Sequence, residues 1–93
     1  MRTIEWTSQF KRDYKRESKG QHRDTLDLDL FPLVETLAND QALEARYRDH
    51  ALTGEWKDYR DCHIKPDLVL IYKKLGEDTM RLVRLGSHSE LGL

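Results

Sequence analysis

The sequence pattern predicts an α+β domain in which two N-terminal helices pack on a small, mainly antiparallel β-sheet. Three observations lead there. Apolar residues recur at helical spacing up to Asn39, and the pattern then shifts, after Trp56, to alternation and a continuous apolar run. Two turn signals, Lys65-Pro66-Asp67 and Gly76-Glu77-Asp78, separate the later segments so closely that the flanking strands must run antiparallel. With 93 residues the chain has room for one core, so residues 1–93 form a single domain. Charged residues make up 35% of it against 38% hydrophobic, yet the apolar positions are grouped in periodic blocks, which argues against disorder. A domain this small buries only about 60 to 65% of its unfolded surface, so a polar site must lie close to the surface.

Arg2 to Trp6 reads as a short strand. Thr7 or Ser8 then caps a helix that runs to about Lys19, with Gly20 as its stop, and Phe10 and Tyr14 form its apolar stripe. Lys11, Arg12, Lys15, Arg16 and Lys19 make up the opposite, basic face. Leu26, Leu30, Leu33, Val34 and Leu37 describe the buried stripe of a second helix ending near Asn39. Pro32 interrupts it, because proline removes a helical hydrogen bond and crowds the preceding turn, and a kink or fresh start is expected near Asp29 to Phe31. The alternation in Leu26-Asp27-Leu28-Asp29-Leu30 leaves a strand as the alternative for that stretch. From Tyr59 to Ile64 the alternation places Tyr59, Asp61 and His63 on one face and Arg60, Cys62 and Ile64 on the other. Leu68 to Tyr72 has the composition of a strand buried on both faces, and Thr79 to Leu85 supplies the next strand. The helices cover one face of this meander and leave the other open.

Net charge is -1, so no global field points to nucleic acid or a membrane, although residues 1–24 carry +3, residues 25–49 carry -4 and residues 50–93 balance. Cys62 is the single cysteine, no disulfide can form within the chain, and the charged opening stretch is unlike a signal peptide. The longest apolar run, Leu68 to Tyr72, falls far short of the roughly 20 residues needed to cross a bilayer. A soluble cytoplasmic protein with no membrane partner is expected.

Four histidines are present, and His50, His63 and His88 lie in the second half beside Asp49, Asp61 and Asp67. Histidine exchanges protons near neutral pH, so three of them around an open sheet face suggest acid-base chemistry. Asp61 shares a strand face with His63, and Asp67, just past the strand, is placed to orient an imidazole. Three histidines and an aspartate are also a conceivable zinc shell, but no His-x-x-x-His or Cys-x-x-Cys pair supports it. Ser87 and Ser89 flank His88 without the G-x-S-x-G elbow of a serine nucleophile, and no phosphate-cradling glycine loop is present. Trp56, Tyr59 and Tyr72 read as core aromatics, and His22 as a surface residue.

The run Asp49-His50-Ala51-Leu52-x-Gly54-x-Trp56-Lys57-x-x-Arg60-Asp61-x-His63-Ile64-x-Pro66-Asp67-Leu68-x-Leu70-Ile71-Tyr72 resembles the YafQ branch of the RelE toxin superfamily. So does the ending Leu82-x-Arg84-x-Gly86-Ser87-His88-Ser89-Glu90-Leu91. The resemblance implies a small microbial ribonuclease-like fold. It further implies a ribosome-dependent endonuclease that cuts messenger RNA without metal or other cofactor, paired with a cognate antitoxin. Matched residue by residue, the family's catalytic positions fall on His50, Asp61, His63, Asp67 and His88. On this resemblance His50 is assigned as base and His88 as acid, with His63 and Asp67 as a supporting pair and Asp61 orienting the site. Arg84, Lys57 and Arg60 are assigned to substrate, and Lys11, Arg12, Lys15, Arg16 and Lys19 to ribosomal RNA. One departure stands out: family chains commonly end in Leu-Phe, whereas here Gly92 and Leu93 follow Leu91. Relatives on the same scaffold inhibit DNA gyrase without catalysis, and fold alone does not separate the two classes. A small adaptor domain with surface histidines is a third option.

Overall fold

A computed structural model describes residues 1–93, and the two-helix, antiparallel-meander layout holds. In chain order the elements are β1 (Thr3–Trp6), α1 (Ser8–Glu17), α2 (Leu26–Ala38), β2 (His50–Ala51), β3 (Arg60–Lys65), β4 (Leu68–Leu75), β5 (Thr79–Gly86) and α3 (His88–Leu91). Short 3₁₀ turns at Ala45–Tyr47 and Gly54–Trp56 flank β2. The sheet has the order β1-β5-β4-β3-β2, with β1 parallel to β5 and every other pairing antiparallel. No helix is long and apolar enough to cross a membrane.

Thr7 caps α1 as expected: its side chain accepts from the Phe10 N–H at 3.0 Å and donates to the Val83 carbonyl at 3.1 Å, which ties the helix start to β5. The helix closes at Glu17, so Lys19 lies in the following turn and does not extend the helical basic face. Pro32 does not break α2, which runs from Leu26 to Ala38 as one helix, and the strand alternative for 26–30 is excluded. The carbonyl that loses its partner belongs to Leu28, which is 77% exposed, so solvent can satisfy it. Leu26, Leu30, Leu33, Val34 and Leu37 meanwhile hold the helix against the sheet.

That face of the sheet contributes Cys62, Ile64, Leu68, Leu70, Tyr72, Met80, Leu82 and Leu85 to the core. Leu82 and Leu85 are three apart yet both face the helices, because Val83 is a bulged residue: Leu82 pairs with Tyr72 and Arg84 with Ile71. The second face is not left open. Val69, Ile71 and Leu91 form a smaller buried cluster there, under Leu52, Trp56, Tyr59 and Val83.

β1 ends opposite Leu82, so the last turn of β5 has no neighbouring strand on that side. The fully buried Asp13 of α1 takes its place. Its carboxylate accepts the Leu85 N–H at 3.0 Å and the Arg84 guanidinium at 2.7 Å, while Arg16 reaches the same carboxylate at 2.9 Å and the Leu85 carbonyl at 2.7 Å. Burial pushes the Asp13 carboxyl up, but the bonds from Arg84, Leu85 and Arg16 outweigh it and hold the group below its ordinary 3.8. A depressed carboxyl contributes stability above its unfolded value and loses it as the pH falls through the folded one. Asp13→Asn is therefore expected to cost about 2 to 3 kcal/mol at pH 7, less than a fully buried pair because the arginines can turn to solvent. Chemical denaturation at pH 7 and below pH 3.8 checks this, with the gap between variant and wild type narrowing in acid.

Candidate active site

Three separate elements bring three histidines together on the less covered face of the sheet. β2 sets His50 opposite Asp61, β3 presents Asp61 and His63 two residues apart, and α3 opens at His88. The ring centroids of His63 and His88 lie 4.9 Å apart, and those of His50 and His63 lie 6.4 Å apart.

β2 is only two residues long and is held by its flank: Asp49 accepts from the Tyr72 hydroxyl at 2.5 Å and from Arg60 at 3.3 Å. His50 Nδ1 lies 2.7 Å from the Arg48 carbonyl. A carbonyl only accepts, so Nδ1 carries the proton and, in the neutral ring, Nε2 keeps its lone pair. The same Nδ1 is 3.1 Å from Asp61 Oδ1 but aimed at Arg48, so that buried carboxylate oxygen has a charge contact and no aligned hydrogen bond. Burial raises the Asp61 carboxyl, against the pull of His50, His63 and His88. Burial lowers His63, opposed by Asp61 and reinforced by His88, which favours a neutral ring.

His88 is positioned by the cap of α3. Ser87 and Glu90 exchange backbone and side-chain bonds at 3.1 and 2.9 Å, and Glu90 also meets Arg16 at 3.1 Å. Gly86 lets this happen, since a Cβ there would come within 2.9 Å of Arg16 Nη2. Gly92, at φ 71°, closes α3 in the left-handed region, and the Leu93 N–H bonds the His88 carbonyl at 2.8 Å. Position 92 thus serves as a helix cap, and the tail side chain facing the histidines is Leu93.

Two clefts meet along the His63–His88 pair. One, of ≈600 Å³, is lined by Arg46, Tyr47, Arg48 and Lys65. The other, of ≈590 Å³, is lined by His50, Asp61, Leu52, Trp56 and Leu93. Arg46 pairs with Glu44 and Lys65 with Asp29, which leaves the Arg48 guanidinium as the unpaired cation of the first cleft.

Several expected residues stand elsewhere. Asp67 does not pair with His63: at the β3–β4 turn its carboxylate is taken by Gln21 at 2.7 Å and His22 at 3.1 Å, so His22 is a tie between loops and not a free surface residue. Arg84 is bound to Asp13 and Arg60 to Asp49, and Lys57 lines neither cleft. Arg16 leaves the basic face of α1 for Asp13, Glu17 and Glu90. Sequence reasoning missed Arg46, Arg48 and Lys65. The pair Arg46-x-Arg48 directly before Asp49-His50 was the available signal. His50, His63 and His88 draw together, but no three His, Cys, Asp or Glu side chains stand at the mutual spacing of a metal shell.

The family model described as the bacterial toxin of type II toxin-antitoxin system, YafQ, matches residues 2–92. The mRNA interferase toxin YafQ of Escherichia coli K12 is 40% identical over 90 residues, which spans 97% of this chain and 95% of that protein. The crystal structure of the E. coli DinJ-YafQ toxin-antitoxin complex matches with a TM-score of 0.80 at 41% identity, over 97% of this chain and 96% of that one. A metal-bound toxin from Helicobacter pylori also scores 0.80, at 45% identity over 98% of this chain and 99% of that one.

The buried, underbonded Asp61 carboxylate is a cost to the fold that a raised carboxyl value records. A group raised on folding destabilises above its folded value, and this penalty fades below its unfolded one. Asp61→Asn is expected to raise the melting temperature at pH 7, with the gain disappearing below the ordinary 3.8, as calorimetry across pH can show.

Proposed function

The chain belongs to the YafQ family of bacterial type II toxins, and on that premise we propose that it is an mRNA interferase, cutting messenger RNA in the ribosomal A site without metal and neutralised by a cognate antitoxin. The observation that carries the reading is the convergence of His50, His63 and His88 around the buried Asp61. A toxin that only binds its target has no use for three imidazoles at such spacing. Its place of action is the cytoplasm, where ribosomes translate.

Cleavage of RNA without metal needs a base for the 2′-hydroxyl, an acid for the departing 5′-oxygen and a positive field at the phosphorus. His50 Nε2 takes the 2′-hydroxyl proton, with Asp61 at 3.1 Å from Nδ1 stabilising the imidazolium that forms. The 2′-oxygen bonds to phosphorus, the bond from phosphorus to the 5′-oxygen breaks, and His88 donates the proton that oxygen receives. The products are a 2′,3′-cyclic phosphate and a free 5′-hydroxyl. His63, between the two and kept neutral by burial, hydrogen-bonds the phosphate. His88, as the proton donor, brings positive charge to the phosphorus, and Arg48 takes over from Arg84 in holding the phosphate backbone next to it. Arg84 acts instead through Asp13 and the end of β5, and Asp67 through the loop that carries Gln21 and His22.

Ribosomal RNA is met by the exposed part of α1, which after the loss of Arg16 and Lys19 consists of Lys11, Arg12 and Lys15. Counterion release by these side chains supplies affinity that falls with salt. An antitoxin that covers the clefts or this face blocks the reaction.

Single-turnover cleavage of a defined message on programmed ribosomes tests the chemistry. His50→Ala and His88→Ala should each lose at least about 10²-fold, and excess chelator should leave the wild-type rate unchanged once the ribosomes' own magnesium is restored. Docking is read separately: Lys11→Glu with Lys15→Glu should weaken ribosome binding and reduce the slope of log affinity against log salt by about 2. An unchanged slope would retire the docking face.

A further inference from the structure

The two clefts differ in chemistry, and the acid and base are not shared equally between them. His50 lines only the cleft that holds Trp56 and Leu93, whereas His63 and His88 border both. In a displacement at phosphorus the attacking and leaving oxygens lie roughly in line, on opposite sides of the phosphorus. The attacking 2′-hydroxyl belongs to the nucleotide on the 5′ side of the cut and the leaving oxygen to the nucleotide on the 3′ side. With His50 as base, the 5′ nucleotide must enter the cleft that His50 lines. The leaving group then points past His88 toward Arg48.

We propose that the message crosses the histidine ridge in one direction, with the base of the 5′ nucleotide stacked on Trp56 and the first phosphate on the 3′ side of the cut held by Arg48. This rests on the nuclease reading above and on His50 as its base. The linings suit the two roles. Trp56 is half-buried and steadied edge-to-face on Tyr59, with ring centroids 5.5 Å apart at 88°. Its loop is closed on itself, since the Leu52 N–H bonds the Tyr59 carbonyl at 2.9 Å and the Tyr59 N–H bonds the Trp56 carbonyl at 3.0 Å. The ring is therefore a fixed platform, and stacking on a fixed aromatic tolerates any base. Arg48 stands in the left-handed region at φ 49°, which turns its carbonyl to His50 Nδ1 while its side chain lines the opposite cleft. One residue thus sets both the orientation of the base and the position of the 3′ phosphate.

The test is a set of coupled changes in protein and message, read as single-turnover cleavage on programmed ribosomes. The messages carry an abasic ribonucleotide, which keeps its 2′-hydroxyl, on the 5′ or the 3′ side of the cut, or a neutral methylphosphonate at the first linkage on the 3′ side. Trp56→Leu should slow cleavage of the intact message about tenfold and have almost no effect when the 5′ nucleotide is abasic. Arg48→Gln should be silent only on the methylphosphonate message. Trp56→Phe should keep most of the rate, which separates stacking from misfolding, and wild type alone should lose more from the 5′ abasic site than from the 3′ one. Coupling of Trp56 to the 3′ base, or equal losses with every message, would overturn the proposed direction. Failure of wild type to cut the intact message would instead sink the nuclease reading.

Discussion

β1 runs out at Trp6, opposite Leu82, and from there to Gly86 β5 would carry bare amide and carbonyl groups beside a helix. Unpaired backbone groups in a buried place are costly, and the Asp13–Arg16 pair meets that cost by bonding the Leu85 N–H and carbonyl as a neighbouring strand would. The substitution has reach. Arg16 continues to Glu90, Glu90 caps α3, and α3 begins with His88, so His88 is positioned by a chain of charged contacts that starts on the first helix. Gly86 is the gap that lets the arginine pass.

His50 hangs from a different anchor. Tyr72 is buried in the core, and its hydroxyl, raised by burial and by Asp49, fixes Asp49 and with it the two residues of β2. A two-residue strand has almost no ladder of its own. Its register depends on this contact, on Arg60 and on the bond from His50 to Arg48. His88 and His50 therefore belong to networks that share little, and only β3, which carries Asp61 and His63, is ordinary sheet. Asp61 is where the two meet. A carboxylate buried without an aligned hydrogen bond costs stability, and structures keep such groups where function needs the charge.

Residues with a simple period were legible in the sequence: the helical stripes, the turn at Lys65 to Asp67, and the alternation that sets Asp61 and His63 against Cys62 and Ile64. What escaped was set by contacts distant in sequence. The parallel pairing of β1 with β5 joins residues more than seventy apart, and the bulge at Val83 shows only in the three-residue spacing of Leu82 and Leu85. Pro32 misled because its cost depends on whether the Leu28 carbonyl is buried, and exposure of Leu28 is a tertiary fact. Ser87-x-x-Glu90 is a helix-start signal in the sequence, and it caps α3. Of the site, the three histidines were legible as a group beside acids in the second half of the chain, and the resemblance added the assignment of their roles. Spacing could not tell that Arg84 spends its charge on the buried Asp13 while Arg48 stays unpaired beside the histidines.

Pairing of this kind lets a chain of net charge -1 still present cations to a polyanion. Net charge counts every ionised group, but a polyanion meets only those whose field is not already cancelled within a few ångströms. Asp13, Asp29, Asp40, Asp49 and Asp67 are all engaged by basic or hydrogen-bonding partners, so much of the acidic charge is spent inside the fold. Arg16, Arg60 and Arg84 are spent on the same pairs. The remaining cations are distributed unevenly. Arg48 stands beside the histidines, and Lys11 and Lys15 stand on the exposed side of α1. Screening at physiological salt limits fields to about 8 Å, so this local arrangement, and not the total, decides which surfaces attract RNA.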